Sequence, residues 1–301
     1  METRVILGQV QRVYKNLPPT VRLFFLGASQ LHGDKVAVVF ERERLTYNEL
    51  RERAVKAAAV LHDVCGVTKG DRVALCSRNF PDFLVVFWAI HILGAVPVLI
   101  NAWLPLEPLL HCIKRTDNKV VFVDPERADR LLPAISSLKG KRRTNFIVLQ
   151  SHEGRGHWTG METWSAMLKK HRGDPAKVLE KDPQIVPEDN GMIIFTSGST
   201  GLPKGVLLSQ RAFLTAIGNA VAGRGRAILR RGEEFPPPPE EGPQPGLLLP
   251  TPLFHVTGTT LITLSLAQGL KVVLMRKWDV KEGNQRPLVS SDRILLMRDV
   301  F

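Results

Sequence analysis

Cysteine is scarce: Cys65, Cys76 and Cys112 are the only three in 301 residues, and no two have paired spacing. That argues against a disulfide framework and a cysteine-built zinc site, and it fits a reducing compartment, with cytosol, peroxisome and mitochondrion all suitable. Each cysteine reads as a small core residue rather than a reactive thiol. Tyrosine is scarcer still, at two, and no basic segment is interleaved with aromatics, so a nucleic-acid footprint is missing. Acidic residues are outnumbered 29 to 41 by Lys and Arg, leaving a net charge of +12. The excess falls in short clusters, Lys139 to Arg143, Lys169 to Arg172 and Arg224 to Arg231. Such clusters are solvated faces or aids to anionic ligands.

An uninterrupted apolar span is lacking too. Phe83 to Leu106 carries no Asp, Glu, Lys or Arg until its end and has the length to cross a bilayer, but Gly94 and Pro97 interrupt it. The pattern predicts a buried helix over 81–93 and a buried strand over 96–100, with proline at the first turn and glycine past the last. Gly242 to Leu270 is broken by Pro245, Pro250 and Pro252. No transmembrane span is expected, which leaves peripheral membrane contact open. Glu2 precedes any apolar run, so a secretory leader is not expected either, while residues 4–17 leave room for an amphipathic organellar presequence.

What is present is a repeating alternation. A strand over 36–40 is followed by Thr46-Tyr47-Asn48-Glu49, a capping-box spacing, then a helix with Leu50, Ala54, Ala57, Leu61 and Val64 on one face, ended by Gly66. Strands at 73–76, 96–100, 120–123 and 146–149 alternate with helices at 81–93, 106–115 and 126–135. Repeated βα units with apolar strands imply α/β architecture, largely parallel sheets flanked by helices. Four segments follow: 1–35 as N-terminal extension and first helix, 36–190 as an α/β subdomain whose end (151–190) is partly irregular, 191–280 as a second part, and 281–301 as a tail. Pro236 to Pro239 reads as a polyproline surface loop.

The most informative stretch is Phe195-Thr196-Ser197-Gly198-Ser199-Thr200-Gly201-Leu202-Pro203-Lys204-Gly205. Glycines let successive amides turn into one anion-binding hollow, hydroxyls add donors, and Lys204 brings a mobile positive charge. The kinase-type P-loop needs glycine before the lysine and Ser or Thr after it, and here Pro203 and Gly205 stand there. Val206 to Leu208 reads as a strand and Ser209 as the cap of a helix, so this is a loop between two strands.

This segment resembles the signature loop of the AMP-forming adenylating superfamily, which includes acyl-CoA synthetases. Leu45 to Leu50, Gly70-Asp71-Arg72-Val73 with Asn79, Gly94-Ala95-Val96-Pro97 with Asn101, and Pro252-Leu253-Phe254-His255 resemble further elements of that family. Pro108 to Cys112 looks most like its fatty-acid-activating members. The resemblance implies that Thr196, Ser197, Gly198, Ser199, Thr200, Gly201 and Lys204 cradle the ATP phosphates and that His255 and Phe254 border the acyl pocket. His255 also reads as a hydrogen-bonded turn histidine, and Phe254 as core packing. ATP, Mg2+ and coenzyme A are the implied co-substrates, and a fatty or related carboxylic acid the substrate.

The family's later Tyr-Gly-x-Thr-Glu segment, its ribose-binding aspartate and the small C-terminal domain with the adenylation lysine are missing from these residues. No catalytic residue and no protein metal ligand is therefore expected here, and after Trp278 the resemblance fades. The chain is expected to be the N-terminal part of the large domain, incomplete and inactive alone. A second reading is a natural truncated form that pairs with a full-length relative.

Overall fold

The computed structural model describes residues 1–138, 144–154, 156–196, 201–234 and 242–277, together with the backbone of 294–295. The polyproline loop, the cluster from Lys139 to Arg143 and most of 281–301 lie outside the described residues.

Residues 2–13 form an antiparallel ribbon of β1 (Glu2–Ile6) and β2 (Gln9–Val13). Leu7 and Gly8 turn it with φ of 50° and 78°, the two positive values that a tight hairpin turn requires. Residues 4–17 are therefore not helical here, because the turn at Gly8 divides the ribbon into two extended arms.

Next come α1 (Val21–Leu31), β3 (Val36–Phe40), β4 (Glu43–Thr46) and α2 (Tyr47–Asp63). The capping box is formed: the Glu49 amide donates to Thr46 Oγ1 at 3.2 Å and the Thr46 amide to Glu49 Oε2 at 2.7 Å. The βα run continues as β5 (Arg72–Cys76), α3 (Pro81–Ile92), β6 (Val96–Leu99), α4 (Leu106–Thr116), β7 (Val120–Val123), α5 (Pro125–Leu131), α6 (Ile135–Leu138) and β8 (Asn145–Val148). The helix expected over 126–135 is split where Pro133 enters, and Leu132–Ala134 tighten into a 3-10 turn. The irregular stretch holds β9 (Glu162–Thr163), α7 (Trp164–Lys170) and α8 (Lys177–Glu180). The remaining elements are β10 (Asn190–Thr196), β11 (Lys204–Ser209), α9 (Gln210–Arg230), β12 (Gly246–Leu249), α10 (Val256–Gln268), β13 (Lys271–Leu274) and β14 (Ile294–Leu295).

Two sheets result. One has seven strands in the order β11-β10-β6-β5-β7-β8-β9, parallel except for β11 against β10. The other runs β14-β12-β13-β3-β4, parallel except for β4. Strands with every residue buried, such as Val120–Val123, carry continuous Val and Phe because both faces are covered. Helix α3 is apolar all round, and every residue except Asp82 is buried. Its length is therefore spent on core, and no helix among the described residues is long and apolar enough to cross a membrane.

Candidate functional site

The phosphate-type loop joins adjacent antiparallel strands. β10 runs parallel to β6 through Ile193 and Ile194, so its last residue, Thr196, lies at the carboxyl edge of the large sheet. β11 returns from Lys204, which pairs directly with Thr196, and Thr196 Oγ1 donates to the Lys204 carbonyl at 3.4 Å. A hydroxyl and an ammonium thus stand at the two ends of the loop. Both residues are exposed, and Lys204 has no ion-pair partner among the described residues. Gly201 and the buried Pro203 belong to the returning limb; Ser197, Gly198, Ser199 and Thr200 lie outside the described residues. Gly191 is required at the root of the hairpin. A Cβ there would lie 2.8 Å from the Gln210 nitrogen and the Ser209 carbonyl carbon, where α9 begins. Ser209 caps α9 as expected, its Oγ accepting from the Ala212 amide at 3.1 Å.

The second predicted element is the turn from β12 into α10. Asn79, just past the carboxyl end of β5, clasps it. Its Nδ2 donates to the Thr251 carbonyl at 2.9 Å and its Oδ1 accepts from the Leu253 amide at 2.8 Å. Gly258 lets α10 close on the turn, since a Cβ would stand 2.1 Å from the Pro252 oxygen. Phe254 is buried and meets Trp103 edge-on at 5.2 Å. Trp103 is 57% exposed, on a turn held by its amide donating to Asn101 Oδ1 at 2.8 Å.

His255 is the N-cap of α10, and its Nδ1 accepts from the Thr257 amide at 3.3 Å. That bond puts the proton of a neutral ring on Nε2, which has no partner among the described residues. The histidine is therefore the hydrogen-bonded turn residue of the first alternative, with its Nε2 left as an exposed donor.

Both elements lie at the carboxyl edge of parallel strands, where open α/β sheets bind ligands. The profile of AMP-binding enzymes matches residues 25–290, reaching past Trp278. This chain belongs to the AMP-binding enzyme family. It is 24% identical over 254 residues to a 2-succinylbenzoate–CoA ligase of Bacillus velezensis, covering 84% of this chain and 44% of that enzyme. It is 28% identical over 236 residues to the long-chain-fatty-acid–CoA ligase FadD13 of Mycobacterium tuberculosis, covering 78% and 41%. The N-terminal domain of FACL13 from Mycobacterium tuberculosis superposes with a TM-score of 0.70 at 24% identity, covering 90% of this chain and 61% of that one. A luciferase-like enzyme of the mealworm Zophobas morio gives 0.73 at 20% identity, covering 92% and 59%. The chain spans less than half the length of the curated relatives it matches.

One part of this AMP-binding chain was missed by motif reading. The order β6-β5-β7-β8 places a topological switch between β5 and β7, and a crevice of about 280 Å³ opens there. Arg78, Asp124, Arg127, Arg276 and Lys277 are among its lining residues. Arg127 is fully buried; its Nη1 reaches both Asp124 oxygens at 3.1 Å, while its Nη2 has no partner among the described residues. Arg78 pairs with Glu126 at 2.6 Å, and the two neighbours hold the Glu126 carboxyl below its ordinary value. The available signal was positional, because Arg78 and Asp124 are among the first residues after β5 and β7. No group of three or more metal-ligating side chains occurs among the described residues.

Proposed function

We propose that this chain carries the phosphate-binding edge and part of the acyl rim of an ATP-dependent acid–CoA ligase. In that reaction a carboxylate oxygen attacks the α-phosphorus of ATP and the bond to the β-phosphate oxygen breaks. Acyl-adenylate forms and pyrophosphate leaves. The thiolate of coenzyme A then attacks the acyl carbon, and AMP departs as the acyl–oxygen bond breaks. The observation that carries this reading is the Thr196–Lys204 pair closing a glycine- and hydroxyl-rich loop at the carboxyl edge of the sheet. Lys204 would neutralise the leaving pyrophosphate, with Thr196 and the loop amides as further donors. Bound magnesium would supply further charge neutralisation on the nucleotide phosphates. His255 Nε2 is free to donate to an oxygen of the acid, and Phe254 with Trp103 forms an apolar wall for its body. The switch-point crevice holds four cations against the three carboxylates Asp124, Glu126 and Glu153, and its free donor, Arg127 Nη2, could meet a phosphate of coenzyme A, the second phosphorylated substrate that the reaction needs. A fatty acid is the acid class favoured by the FadD13 likeness.

Calorimetry with magnesium-ATP tests the phosphate assignment. Lys204→Gln should weaken binding by roughly tenfold, the scale of one lost charge-assisted contact. Equal affinity in the two proteins would remove the lysine from the site. The 301-residue chain by itself should show no acid-dependent exchange of pyrophosphate into ATP, and clear exchange would overturn its incompleteness.

The alternative of a non-catalytic form that pairs with a longer relative draws support from β11. This strand is at the sheet edge among the described residues and leaves Val206 and Leu207 exposed, 43% and 53%, as an apolar template on its outer side. Co-purification of this chain with a full-length synthetase would favour that reading.

A further inference from the structure

A second pocket, of about 320 Å³, opens at the opposite edge of the large sheet, among α1, the carboxyl ends of α2 and α3, and α8. Two of its residues mark that edge: Lys69 precedes β5 and Leu93 precedes β6. The phosphate hairpin leaves from the other end of those strands. Four cations line the pocket, Arg22, Lys69, Lys177 and Lys181, against one carboxylate, Asp63.

The carboxylate is already engaged. His62 lies 2.7 Å from it and His171 2.9 Å, and these partners hold it below its ordinary value. Lys69 is likewise engaged, with Asp189 at 2.8 Å and the Gln184 carbonyl at 2.6 Å. Lys177 and Lys181 are exposed, a helical turn apart, and have no partner among the described residues. Arg22 is buried to 7% exposure and, among the described residues, donates only to the carbonyls of Ile92 and Leu179, with Asp182 acting on it through space. A buried guanidinium that touches no carboxylate is a costly arrangement unless an anion completes it. Leu93, Val178 and Pro183 supply the apolar part of the lining, and His62 and Thr68 complete it.

We propose that this pocket binds a small amphiphilic organic anion. Arg22, Lys177 and Lys181 hold its charged head, and Leu93, Val178 and Pro183 take its apolar body. The volume is at the lower end for small-molecule sites, which span about 300–1,000 Å³. The ligase reading does not depend on this site, and the reacting edge does not use it.

Calorimetry on the whole chain with decanoate, decanol and inorganic phosphate decides the matter. Decanoate should bind the wild type, and bind roughly tenfold more weakly to the double variant Lys177→Gln with Lys181→Gln. Both lysines are exposed, so that variant keeps its fold. Decanol and inorganic phosphate should each bind roughly tenfold more weakly than decanoate to the wild type. A second double variant, Lys204→Gln with His255→Ala, removes the proposed acyl-rim groups, so the decanoate binding that persists in it reports this pocket, and adding Lys177→Gln and Lys181→Gln to it should weaken that binding roughly tenfold. Decanoate affinity equal in wild type and the Lys177/Lys181 variant overturns the proposal. So does its loss in the Lys204/His255 variant, which would place the ligand at the acyl rim. Decanol as tight as decanoate would show no anion recognition, and phosphate as tight would show no use of the apolar wall; either result sinks the amphiphile.

Discussion

The two rims of the candidate site are built by different means. The acyl-side turn is tied into the core: Asn79 bonds two of its backbone groups, Gly258 admits a helix against it, and Phe254 is buried beneath Trp103. The phosphate-side hairpin stands at a sheet edge, closed by its ladder and one 3.4 Å hydroxyl bond. On the proposed function, the difference matches what each rim would meet. An apolar substrate body needs a preformed wall, whereas a polyphosphate can order donors around itself once their charge and reach are in place. Damage at the two rims should therefore read out differently, as lost stability at the turn and as lost anion affinity at the hairpin.

The sharpest break is Gly258→Ala. Its new Cβ would meet the Pro252 carbonyl at 2.1 Å, and neither the helix nor the turn is a flexible side chain that can yield. The expected loss is about 3 kcal/mol of unfolding free energy, at the upper end for overpacking. Urea denaturation measures it, and a loss under 1 kcal/mol would mean that the turn gives way easily. Asn79→Ala comes next. It leaves the Leu253 amide and the Thr251 carbonyl without their side-chain partner, for about 2 kcal/mol. Lys204→Gln serves as the contrast, because an exposed lysine without an ion pair should change stability by less than about 0.5 kcal/mol. If Asn79→Ala proved as harmless as Lys204→Gln, the rims would not differ as described.

Much of this was legible in the residues because the relevant signals are local. The capping box at Thr46, the αβ alternation and the strand-loop-strand reading around Lys204 depend on neighbours in sequence, and the structure bears each out. The role of Asn79 could be noticed only as part of a motif, since its partners lie more than 170 residues away. Trp103, the switch-point crevice and the basic pocket beside α8 were not read at all. Each depends on which strands become neighbours, and the order β6-β5-β7 is not encoded in any short spacing. The N-terminal ribbon was missed for a different reason: ten strand residues around a two-residue turn carry too little periodicity to outvote a helix.

The last comparison concerns the support beneath the hairpin. β11 leads into α9, whose Phe213 stacks on His91 of α3 with rings 5.9 Å apart and 8° from parallel. His91 is wholly buried, neither ring nitrogen has a partner among the described residues, and Phe87 packs edge-on at 4.7 Å. Desolvation holds its pKa down at about 3, against 6.5 for a free imidazole. Between those values the unfolded chain binds the proton and the folded chain does not, so stability rises with pH across the window. The contribution is whole above about pH 6.5 and is lost progressively toward pH 3. Going from pH 7 to pH 5 should cost about 2 kcal/mol through this residue alone. Carboxylates titrate in the same range, so the readout is the difference between the wild type and His91→Phe, which fills a similar shape without a titratable group. Between pH 7 and pH 5 the wild type should lose about 2 kcal/mol more than His91→Phe, so the gap between the two stability curves changes by that amount as pH falls. Parallel curves would show that the proton is accommodated, and that acid does not loosen the packing of α9 on α3.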